Sequence, residues 1–325
     1  MVDEAVRVQT SRRQMILGLA AGLSACALPA APPGRRVRLP LLTSTQLPSR
    51  VVEVWLPSGY DASGAPHAVL YMHDGQHVFD EVVGIANAAW GVHTALQRLI
   101  DQQAVRPTIV VAVSNTSERS REYGPQAPIE TLPVADQVLL PRLTDWPEGQ
   151  PRDERALPLS DRYLRFLVED LKPQVDRSFR TLGDRDNTFV MGSSMGGLIS
   201  LYALCSYPQV FGGAGCLSTH WPIATNPALL TPRIDPLVAR AAAAYRQWLA
   251  GHLPAPGSHR IYFDHGTETL DSLYAPHQEQ VDALLRSQGW REGVDWTSRV
   301  FPGTNHSEAA WRARVDQPLQ FLLRR

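Results

Sequence analysis

Ser194 stands in a sequence context that could make it a nucleophile. It lies in the segment Gly-Ser-Ser-Met-Gly-Gly (192–197), between an apolar run at 188–191 and a helical pattern at 198–204. A G-x-S-x-G segment between a strand and a helix is typical of a nucleophile elbow, a sharp turn whose close packing requires glycine on both sides of the exposed serine. Such a turn would point the Met195 amide, together with the positive end of the following helix, at an incoming carbonyl oxygen.

A serine hydroxyl needs a general base and an acid that orients the base. We assign the base to His306, because it alone among ten histidines follows every predicted strand and would lie beside Ser194 at the carboxyl edge of the sheet. Three carboxylates follow the preceding strand, namely Asp264, Glu268 and Asp271. We favour Asp271, which could also cap the following helix, with Glu268 as the alternative; Asp264 lies in or beside the strand and could brace the turn. The chain order serine, acid, histidine is that of the α/β-hydrolases.

The loop after the third predicted strand could complete an oxyanion hole. An oxyanion hole needs a second amide besides that of Met195. Gly75 would let the backbone turn back over the site, and the Gln76 amide is then the natural donor. The same loop carries four residues that suggest a metal site, namely His73, Asp74, His77 and Asp80. Histidines four residues apart share a face only on a helix, so this strand-end loop predicts no metal.

Eight apolar runs alternate with helical patterns along the chain. The predicted strands are 36–39, 51–56, 68–72, 108–113, 189–191, 213–217, 260–263 and 296–300, and the predicted helices include 89–99, 161–175, 237–249 and 278–288. The first two strands alternate apolar and polar residues, as a half-exposed antiparallel start would, whereas the central strands are almost entirely apolar. The pattern predicts an α/β fold with a mostly parallel eight-stranded sheet and helices on both faces.

Residues 124–160 break this alternation. They contain many prolines and no convincing periodicity, and they lie between a strand end and the helix that precedes the elbow. A long irregular connection in a compact domain is usually a binding loop or a lid. We therefore predict a lid or insertion here, the alternative being a surface insertion without a role.

Composition and charge exclude several classes of protein. The 325 residues are 44% hydrophobic and 19% charged, with a formal net charge of −1. These values are typical of a globular protein and give no electrostatic basis for binding nucleic acid or an anionic membrane surface. Apart from Cys26 the chain has two cysteines, Cys205 and Cys216, which we expect to be buried free thiols rather than a disulfide.

The amino terminus has the features of an export signal. The twin arginines in residues 11–17 open an apolar stretch that continues to residue 23, which resembles a twin-arginine export signal. Residues 23–26 also resemble a lipobox, in which Cys26 would be acylated; simple cleavage near residue 27 or 30 is the alternative. We therefore expect a signal at 1–30, a single domain at 31–325, and a periplasmic or other extracytoplasmic location, with a possible lipid anchor to a membrane.

Four segments together resemble the family of esterases that includes the esterase D group, enterochelin esterases, feruloyl and acetylxylan esterases, and mycolyltransferases. The segments are 73–80, 192–198, 265–271 and 303–311. This resemblance implies an α/β-hydrolase fold that needs no cofactor or metal. It also implies a triad of Ser194, Asp271 and His306, with the Gln76 and Met195 amides as oxyanion donors. His77 stands where relatives often carry asparagine.

A further segment resembles the siderophore-esterase branch of this family. Residues 119–123 read Arg-Ser-Arg-Glu-Tyr, and the resemblance implies that Arg119, Glu122 and Tyr123 bind substrate; a solvated charged loop is the alternative. The sequence therefore predicts an exported serine ester hydrolase that works through an acyl-enzyme. Its substrate would be a siderophore ester, an aromatic acid ester on a glycan, or a short acyl ester. The alternatives are an acyltransferase with the same triad and an inactive binding protein on this scaffold; the sequence does not predict the oligomeric state.

Overall fold

Eight strands form one sheet in the computed structural model, which describes residues 34–42, 44–79, 88–137, 139, 158–224 and 235–325. The strands are β1 Arg35–Arg38, β2 Val52–Leu56, β3 Ala68–Met72, β4 Thr108–Val113, β5 Thr188–Ser193, β6 Gly213–Leu217, β7 Arg260–Gly266 and β8 Trp296–Phe301. Their order in the sheet is β1-β2-β4-β3-β5-β6-β7-β8. The β1–β2 and β2–β4 pairs are antiparallel and all the others are parallel, which confirms the predicted mostly parallel sheet.

The burial of each strand follows its composition. Every residue of β3, β4, β5 and β6 is buried, because a central parallel strand is covered on both faces. The edge strand β1 is mostly exposed and carries three arginines. At the other edge, Val300 of β8 is 54% exposed. The continuous apolar runs thus identify the centre of the sheet, where the elbow after β5 is located.

Helices cover both faces of the sheet. They are α1 Tyr60–Ser63, α2 Val92–Asp101, α3 Arg119–Tyr123, α4 Gln126–Glu130, α5 Val134–Gln137, α6 Ser160–Arg165, α7 Lys172–Ser178, α8 Met195–Ser206, α9 Pro236–His252, α10 Ala275–Ser287, α11 Glu308–Arg314 and α12 Asp316–Leu323. A π-helical stretch, Phe166–Leu171, joins α6 to α7. One apolar core lies between the sheet and α2, α11 and α12, and a second lies on the α8, α9 and α10 side.

The segment at 124–160 is more regular than its composition suggests. Two short helices, α4 and α5, form within it, and α4 packs against α9. The Ala127 amide donates to Tyr202 Oη over 3.1 Å, and Asp136 pairs with Arg240 at 2.7 Å. The expectation of an irregular connection is therefore wrong for this part, because contacts with other elements supply what local periodicity lacks. Residues 138 and 140–157 lie outside the described residues, and a lid stays a prediction.

Other expectations from the sequence have different outcomes. Cys205 and Cys216 are buried free thiols, as predicted. All described residues fall in one compact unit, Pro32–Arg325, whereas the predicted signal at 1–30 and Cys26 lie outside the described residues. None of the helices among the described residues is long and apolar enough to cross a membrane.

Candidate active site

Ser194 occupies a strained turn between β5 and α8. Its backbone angles are φ 57° and ψ −125°, an unusual combination for a residue with a side chain. The surrounding hydrogen bonds hold this conformation: the Ser194 amide donates to Leu217 O over 2.9 Å, and the Ser194 carbonyl accepts from the amides of Gly197, Leu198 and His220 at 3.0–3.1 Å. The turn that the G-x-S-x-G segment predicts is therefore present, with Ser194 half-buried at its apex.

The glycines of the motif are required to different degrees. A Cβ at Gly192 would lie 2.8 Å from the carbonyl carbon of Gly196, a contact that the backbone cannot relieve without moving. At Gly196 the nearest atoms, in His73 and Asp74, would be 3.4 Å away, which is close to ordinary contact. The close approach of strand and helix is thus most severe at Gly192.

Two amides are available to stabilise an oxyanion. Met195 is the first residue of α8, so its N–H has no acceptor one turn earlier in the helix. Gln76 lies in a single 3₁₀ turn, Gly75–His77, and lines the cleft that contains Ser194. The residue with left-handed backbone angles in this loop is Asp74 (φ 54°), not Gly75. Gly75 is small for another reason: a Cβ there would lie 2.6 Å from the backbone of β4 and the residue after it.

Asp271 is the carboxylate that meets His306. His306 Nδ1 lies 2.6 Å from Asp271 Oδ1, and the His306 amide donates to Thr269 Oγ1 over 2.9 Å. Both Asp271 and Thr269 belong to a 3₁₀ turn, Thr269–Leu273, that follows β7. Since an ionised carboxylate only accepts, Nδ1 carries the proton and Nε2 is left to accept one.

The buried position of Asp271 is compensated by donors. Its side chain is fully buried, and its Oδ2 accepts from Ser218 Oγ at 2.7 Å and from the Gly266 amide at 2.5 Å. Burial opposes ionisation most strongly, but the hydrogen bonds from His306, Ser218 and Gly266 hold the pKa of Asp271 below its usual value. The alternative acid, Glu268, is exposed. Asp271 is therefore ionised at neutral pH and is the carboxylate in contact with His306.

Ser194 and His306 line the same open cleft of about 670 Å³. Trp90 and Trp311 form an aromatic wall with ring centroids 5.5 Å apart, and His306 packs edge-on against Trp311 at 5.0 Å. The polar lining residues include Asp74, Gln76, Asn115 and Arg119. Among the described residues no direct hydrogen bond joins Ser194 Oγ to His306, an arrangement common in unliganded sites. The cleft thus brings together Ser194, His306 and Gln76, three of the residues that the sequence assigns to the site.

The Esterase family model, whose description is "Putative esterase", matches residues 47–322. The chain belongs to the Esterase family. It is 28% identical over 148 residues to the ferri-bacillibactin esterase of Bacillus subtilis (strain 168), covering 42% of this chain and 46% of that protein. It is 29% identical over 161 residues to the siderophore enterobactin esterase of Emericella nidulans, covering 48% of this chain and 47% of the relative. The chain thus spans about half the length of these curated relatives.

A solved structure supports the fold of this Esterase-family chain. The enterobactin esterase of Shigella flexneri is 18% identical and superposes with a TM-score of 0.59, covering 90% of this chain and 60% of that one. Together with the mostly parallel sheet, this likeness confirms the α/β-hydrolase fold. The family predicted from the four sequence segments is also confirmed, since all four fall within the matched residues.

Sequence reasoning missed Tyr274, a fully buried residue beneath the cleft whose ring centroid lies 5.8 Å from that of His306. Its hydroxyl lies 2.7 Å from His220 Nδ1. His220 Nε2 faces the Ala224 carbonyl at 2.5 Å, so Nε2 carries the proton. Burial lowers the pKa of His220 to about 4, which leaves Nδ1 as an acceptor for Tyr274. The Tyr274 hydroxyl therefore donates to His220 Nδ1. Its position three residues after Asp271 is the one signal in the sequence.

The predicted substrate-binding residues on α3 have different environments. Arg119 lines the cleft and makes a two-pronged ion pair with Asp74, at 2.7 and 2.8 Å. Glu122 is fully buried and makes a similar pair with Arg50, at 2.7 and 2.8 Å. Tyr123 is also fully buried, and its hydroxyl accepts from the Asp74 amide at 3.2 Å. The structure therefore places Glu122 and Tyr123 in the protein interior and not in the cleft lining, because one turn of helix directs them inward.

Two of the residues that suggest a metal site, His73 and Asp74, have partners within the protein. His73 is buried with Nδ1 2.8 Å from Tyr163 Oη, and burial lowers its pKa to about 3. Asp74 is held by Arg119, which keeps the pKa of Asp74 low despite burial, and Asp80 lies outside the described residues. No group of three histidine, cysteine, aspartate or glutamate residues suited to a metal ion occurs in the part of the chain that the structure describes.

Proposed function

We propose that this Esterase-family chain is a serine carboxylic-ester hydrolase with Ser194, His306 and Asp271 as its catalytic triad. The observation that carries the proposal is the 2.6 Å contact between His306 Nδ1 and Asp271 Oδ1 at the edge of the cleft that also contains Ser194. A histidine oriented in this way, beside a serine at the apex of a strained turn, is the arrangement that activates a serine hydroxyl.

In the first half of the reaction Ser194 Oγ attacks the ester carbonyl carbon while His306 Nε2 takes its proton. Asp271 stabilises the imidazolium that forms. The negative charge on the carbonyl oxygen is met by the Met195 and Gln76 amides and by the positive end of α8. The bond from carbon to the alcohol oxygen then breaks, and His306 returns the proton to the leaving alcohol, which leaves Ser194 acylated.

In the second half water replaces the alcohol. His306 takes a proton from the water as its oxygen attacks the acyl carbon, and the same amides meet the new oxyanion. The bond to Ser194 Oγ breaks, Oγ regains its proton from His306, and the carboxylic acid leaves. Each proton is transferred by His306, so the cycle requires only ester and water.

The lining of the cleft supports an ester with an aromatic acyl group. Trp90 and Trp311 offer apolar ring surface next to His306, and the Arg119–Asp74 pair with Asn115 offers polar contacts across from it. Aromatic rings with polar substituents suit such a mixed lining. The names of the two curated relatives describe siderophore esterases. We therefore propose siderophore-type or other hydroxylated aromatic esters as the substrate class, ahead of short acyl esters.

The test is hydrolysis of p-nitrophenyl acetate, butyrate and octanoate, and of a ferulate ester, by the mature protein and by Ser194→Ala. We expect turnover that the substitution abolishes, and a preference for the aromatic ester. Asp271→Asn should lower kcat by roughly 10³–10⁴-fold with KM little changed, because the imidazole loses its orienting acceptor. Glu268→Gln is the matched control and should keep wild-type activity.

Two outcomes would contradict the mechanism. Turnover that survives Ser194→Ala would exclude Ser194 as the nucleophile. Absence of turnover, together with failure of a fluorophosphonate to label Ser194, would indicate an inactive scaffold. Labelling without turnover of these esters would instead mean that the nucleophile is active and the acyl class is wrong.

We further propose that the protein is exported and acts outside the cytoplasm. The support is the twin-arginine segment at 11–17 and the apolar stretch that follows it. Mass spectrometry of the protein from fractionated cells would give its mature amino terminus. A lipid-modified Cys26 would establish the anchored form, cleavage near residue 30 the free form, and a full-length cytoplasmic protein would refute export. Replacing both Arg12 and Arg13 with lysine should abolish processing.

A further inference from the structure

A second buried ion pair lies behind the acid of the triad. Arg314, the last residue of α11, donates from Nε to Asp264 Oδ2 over 3.2 Å and from Nη2 to Asp264 Oδ1 over 3.0 Å. Their side chains are 3% and 0% exposed. The Tyr262 hydroxyl donates to Asp264 Oδ2 as well, at 3.0 Å. Nothing in the hydrolytic cycle described above uses either residue of this pair.

Ser218 connects this pair to the triad, and the direction of its hydrogen bond is determined. Ser218 Oγ accepts from Arg314 Nη2 and from Trp311 Nε1, both at 2.9 Å. Because these two N–H donors occupy its lone pairs, the single hydroxyl proton of Ser218 points to Asp271 Oδ2, 2.7 Å away. The other oxygen of Asp271 is then free to accept from His306.

The backbone of Ser218 is held in a position that lets its side chain bridge Arg314 and Asp271. Its φ is 42°, uncommon for a residue with a side chain, and its amide donates to the Asp264 carbonyl over 2.7 Å. Arg314 Nη1 also donates to Thr304 Oγ1, two residues before His306, over 3.2 Å. The guanidinium of Arg314 therefore contacts the strand before the acid, the residue behind the acid, and the loop that carries the base.

Two carboxylates, those of Asp264 and Asp271, lie within 4 Å of the same guanidinium nitrogen of Arg314. Arg314 Nη2 lies 3.8 Å from Asp271 Oδ2, close enough to weaken the attraction between Asp271 and a protonated His306. Burial raises the pKa of Asp264, but two hydrogen bonds from the guanidinium favour its ionised form, in which it offsets most of that positive charge. Asp271 then presents close to one net negative charge to His306, which is what stabilisation of the imidazolium requires.

We propose that Asp264 and Arg314 are positioning residues of the triad, which orient the Asp271 carboxylate through Ser218 and set the net charge that Asp271 presents to His306. The proposal rests on the proposed function for its catalytic meaning. Its physical content, a charge balance behind Asp271, can be measured without turnover. The alternative is that the pair only fastens α11 to the sheet.

Several other charged or titratable groups face His306 or the cluster, and the variants below leave them in place. They are Tyr274 and His220 beneath the imidazole, Glu308 and the Arg119–Asp74 pair in the cleft, and Tyr262 beside Asp264. Since these groups are common to all variants, differences between variants report on Asp264 and Arg314.

The test is an NMR pH titration of the His306 imidazole in the whole mature chain, with the signal assigned from His306→Gln. Asp264→Asn leaves the positive charge of Arg314 uncompensated, so the pKa of His306 should fall, by on the order of one pH unit. Arg314→Gln removes that charge, so the pKa of His306 should rise. In the double variant Asp264→Asn/Arg314→Gln, the pKa of His306 should be higher than in the wild type and no higher than in Arg314→Gln. Arg286→Gln, on the exposed last turn of α10, is the matched control and should not move it.

In each variant, the acidic limb of the pH profile of kcat/KM should shift in the same direction as the pKa of His306 measured by NMR. Arg314→Lys keeps the charge but loses the fork that holds both Asp264 and Ser218. We expect it to lower kcat at least tenfold with KM for p-nitrophenyl butyrate little changed, since the orientation of Asp271 is lost. Arg314→Gln leaves the buried carboxylate of Asp264 without its counter-charge, so this variant could fail to fold. In that case Asp264→Asn and the double variant, which has no unpaired buried charge, still give the order of the His306 pKa values.

A purely structural pair would give a different result. Lower melting temperatures with an unmoved His306 titration in Asp264→Asn and in the double variant would overturn the proposal. Shifts of the same sign in Asp264→Asn and Arg314→Gln would overturn it as well. If the wild type hydrolyses no ester, the proposed function fails, whereas the NMR order of the variants still decides the charge balance.

Discussion

Replacing Glu122 with glutamine should destabilise the fold and leave ester binding unchanged. The R-x-x-E-Y segment predicts substrate contact for Glu122, but the structure places its carboxylate against Arg50, with both side chains at most 1% exposed. Thr116 Oγ1 adds a third hydrogen bond at 3.1 Å. Glu122→Gln keeps the shape of the side chain and removes only its charge, so it separates the two roles.

The expected magnitude follows from what remains around Arg50. An arginine does not release its proton in a protein, so the substitution leaves a buried cation without its anion, which costs roughly 3–5 kcal/mol. The lower end applies here, because the amide oxygen of glutamine keeps one acceptor and the guanidinium also lies 5.2 Å from the ring centroids of Tyr163 and Phe166. In a domain of this size a loss of about 3 kcal/mol lowers the melting temperature by about 5 °C.

The assay pairs urea denaturation with steady-state kinetics at a temperature where the variant is fully folded. Glu118→Gln is the matched control on the preceding turn, since Glu118 pairs with Arg121 at 2.6 Å but both side chains are about one quarter exposed. A pair of this kind is worth less than about 1 kcal/mol. We expect a large loss of stability only for Glu122→Gln, with KM and kcat within about twofold of wild type for both variants.

The opposite pattern would refute this reasoning. If Glu122→Gln raises KM for the aromatic ester several-fold while its free energy of unfolding matches that of Glu118→Gln, then Glu122 reaches the substrate in solution. The burial of the Arg50–Glu122 pair would in that case not be maintained in the working enzyme.

Three further predictions concern the elbow, acid stability and Tyr274. Gly192→Ala places a Cβ 2.8 Å from the backbone of α8, so it should destabilise the fold by about 3 kcal/mol and remove most of the activity. Gly251→Ala is the control, because the space around Gly251 in α9 is open, and it should be neutral or stabilising. Melting curves and esterase rates of the two variants test this. Burial holds the folded-state pKa of His73 at about 3 and of His220 at about 4, below the unfolded value of 6.5, so the unfolded chain binds more protons and stability falls as pH drops below 6.5. Between pH 8 and pH 5, each of these two histidines should lower the free energy of unfolding by about 2 kcal/mol. An unchanged urea midpoint would contradict their burial. Tyr274→Phe should lower kcat less than about tenfold and leave the acidic limb in place. Burial raises the pKa of Tyr274 and its proton is directed at His220 Nδ1, so Tyr274 does not serve as a base; a loss on the order of 10³-fold would argue against this.

Most of the sheet is predictable from composition, because a strand buried on both faces must be apolar along its whole length. The runs at 68–72, 108–113 and 213–217 coincide with β3, β4 and β6. Short helices were harder to predict. The helices α11 and α12, at Glu308–Arg314 and Asp316–Leu323, have no counterpart among the predictions, and neither do α4 and α5 within the proposed lid. Such helices are too short to form on local preference and depend on packing against the sheet.

The candidate site likewise has some features that the sequence alone predicts and others that it does not. The elbow is a local feature, since Ser194, its glycines and the flanking elements lie within one short segment, and the sequence alone predicts it. The same holds for the position of His306 after the last strand. The choice among Asp264, Glu268 and Asp271 is not local, because all three lie near the same strand end.

Only the tertiary structure decides which of these side chains meets the imidazole. A turn of 3₁₀ helix after β7 directs Asp271 inward to His306, Asp264 is held by Arg314 on a later helix, and Glu268 faces solvent. The orientation of α3 likewise turns Glu122 toward Arg50, and the turn after Asp271 brings Tyr274 beside His306. The sequence by itself determined the local geometry of the turn at Ser194 and the positions of the central strands along the chain. The direction of each charged side chain was decided by partners distant in the chain, because a buried charge is stable only where the fold supplies its counter-charge.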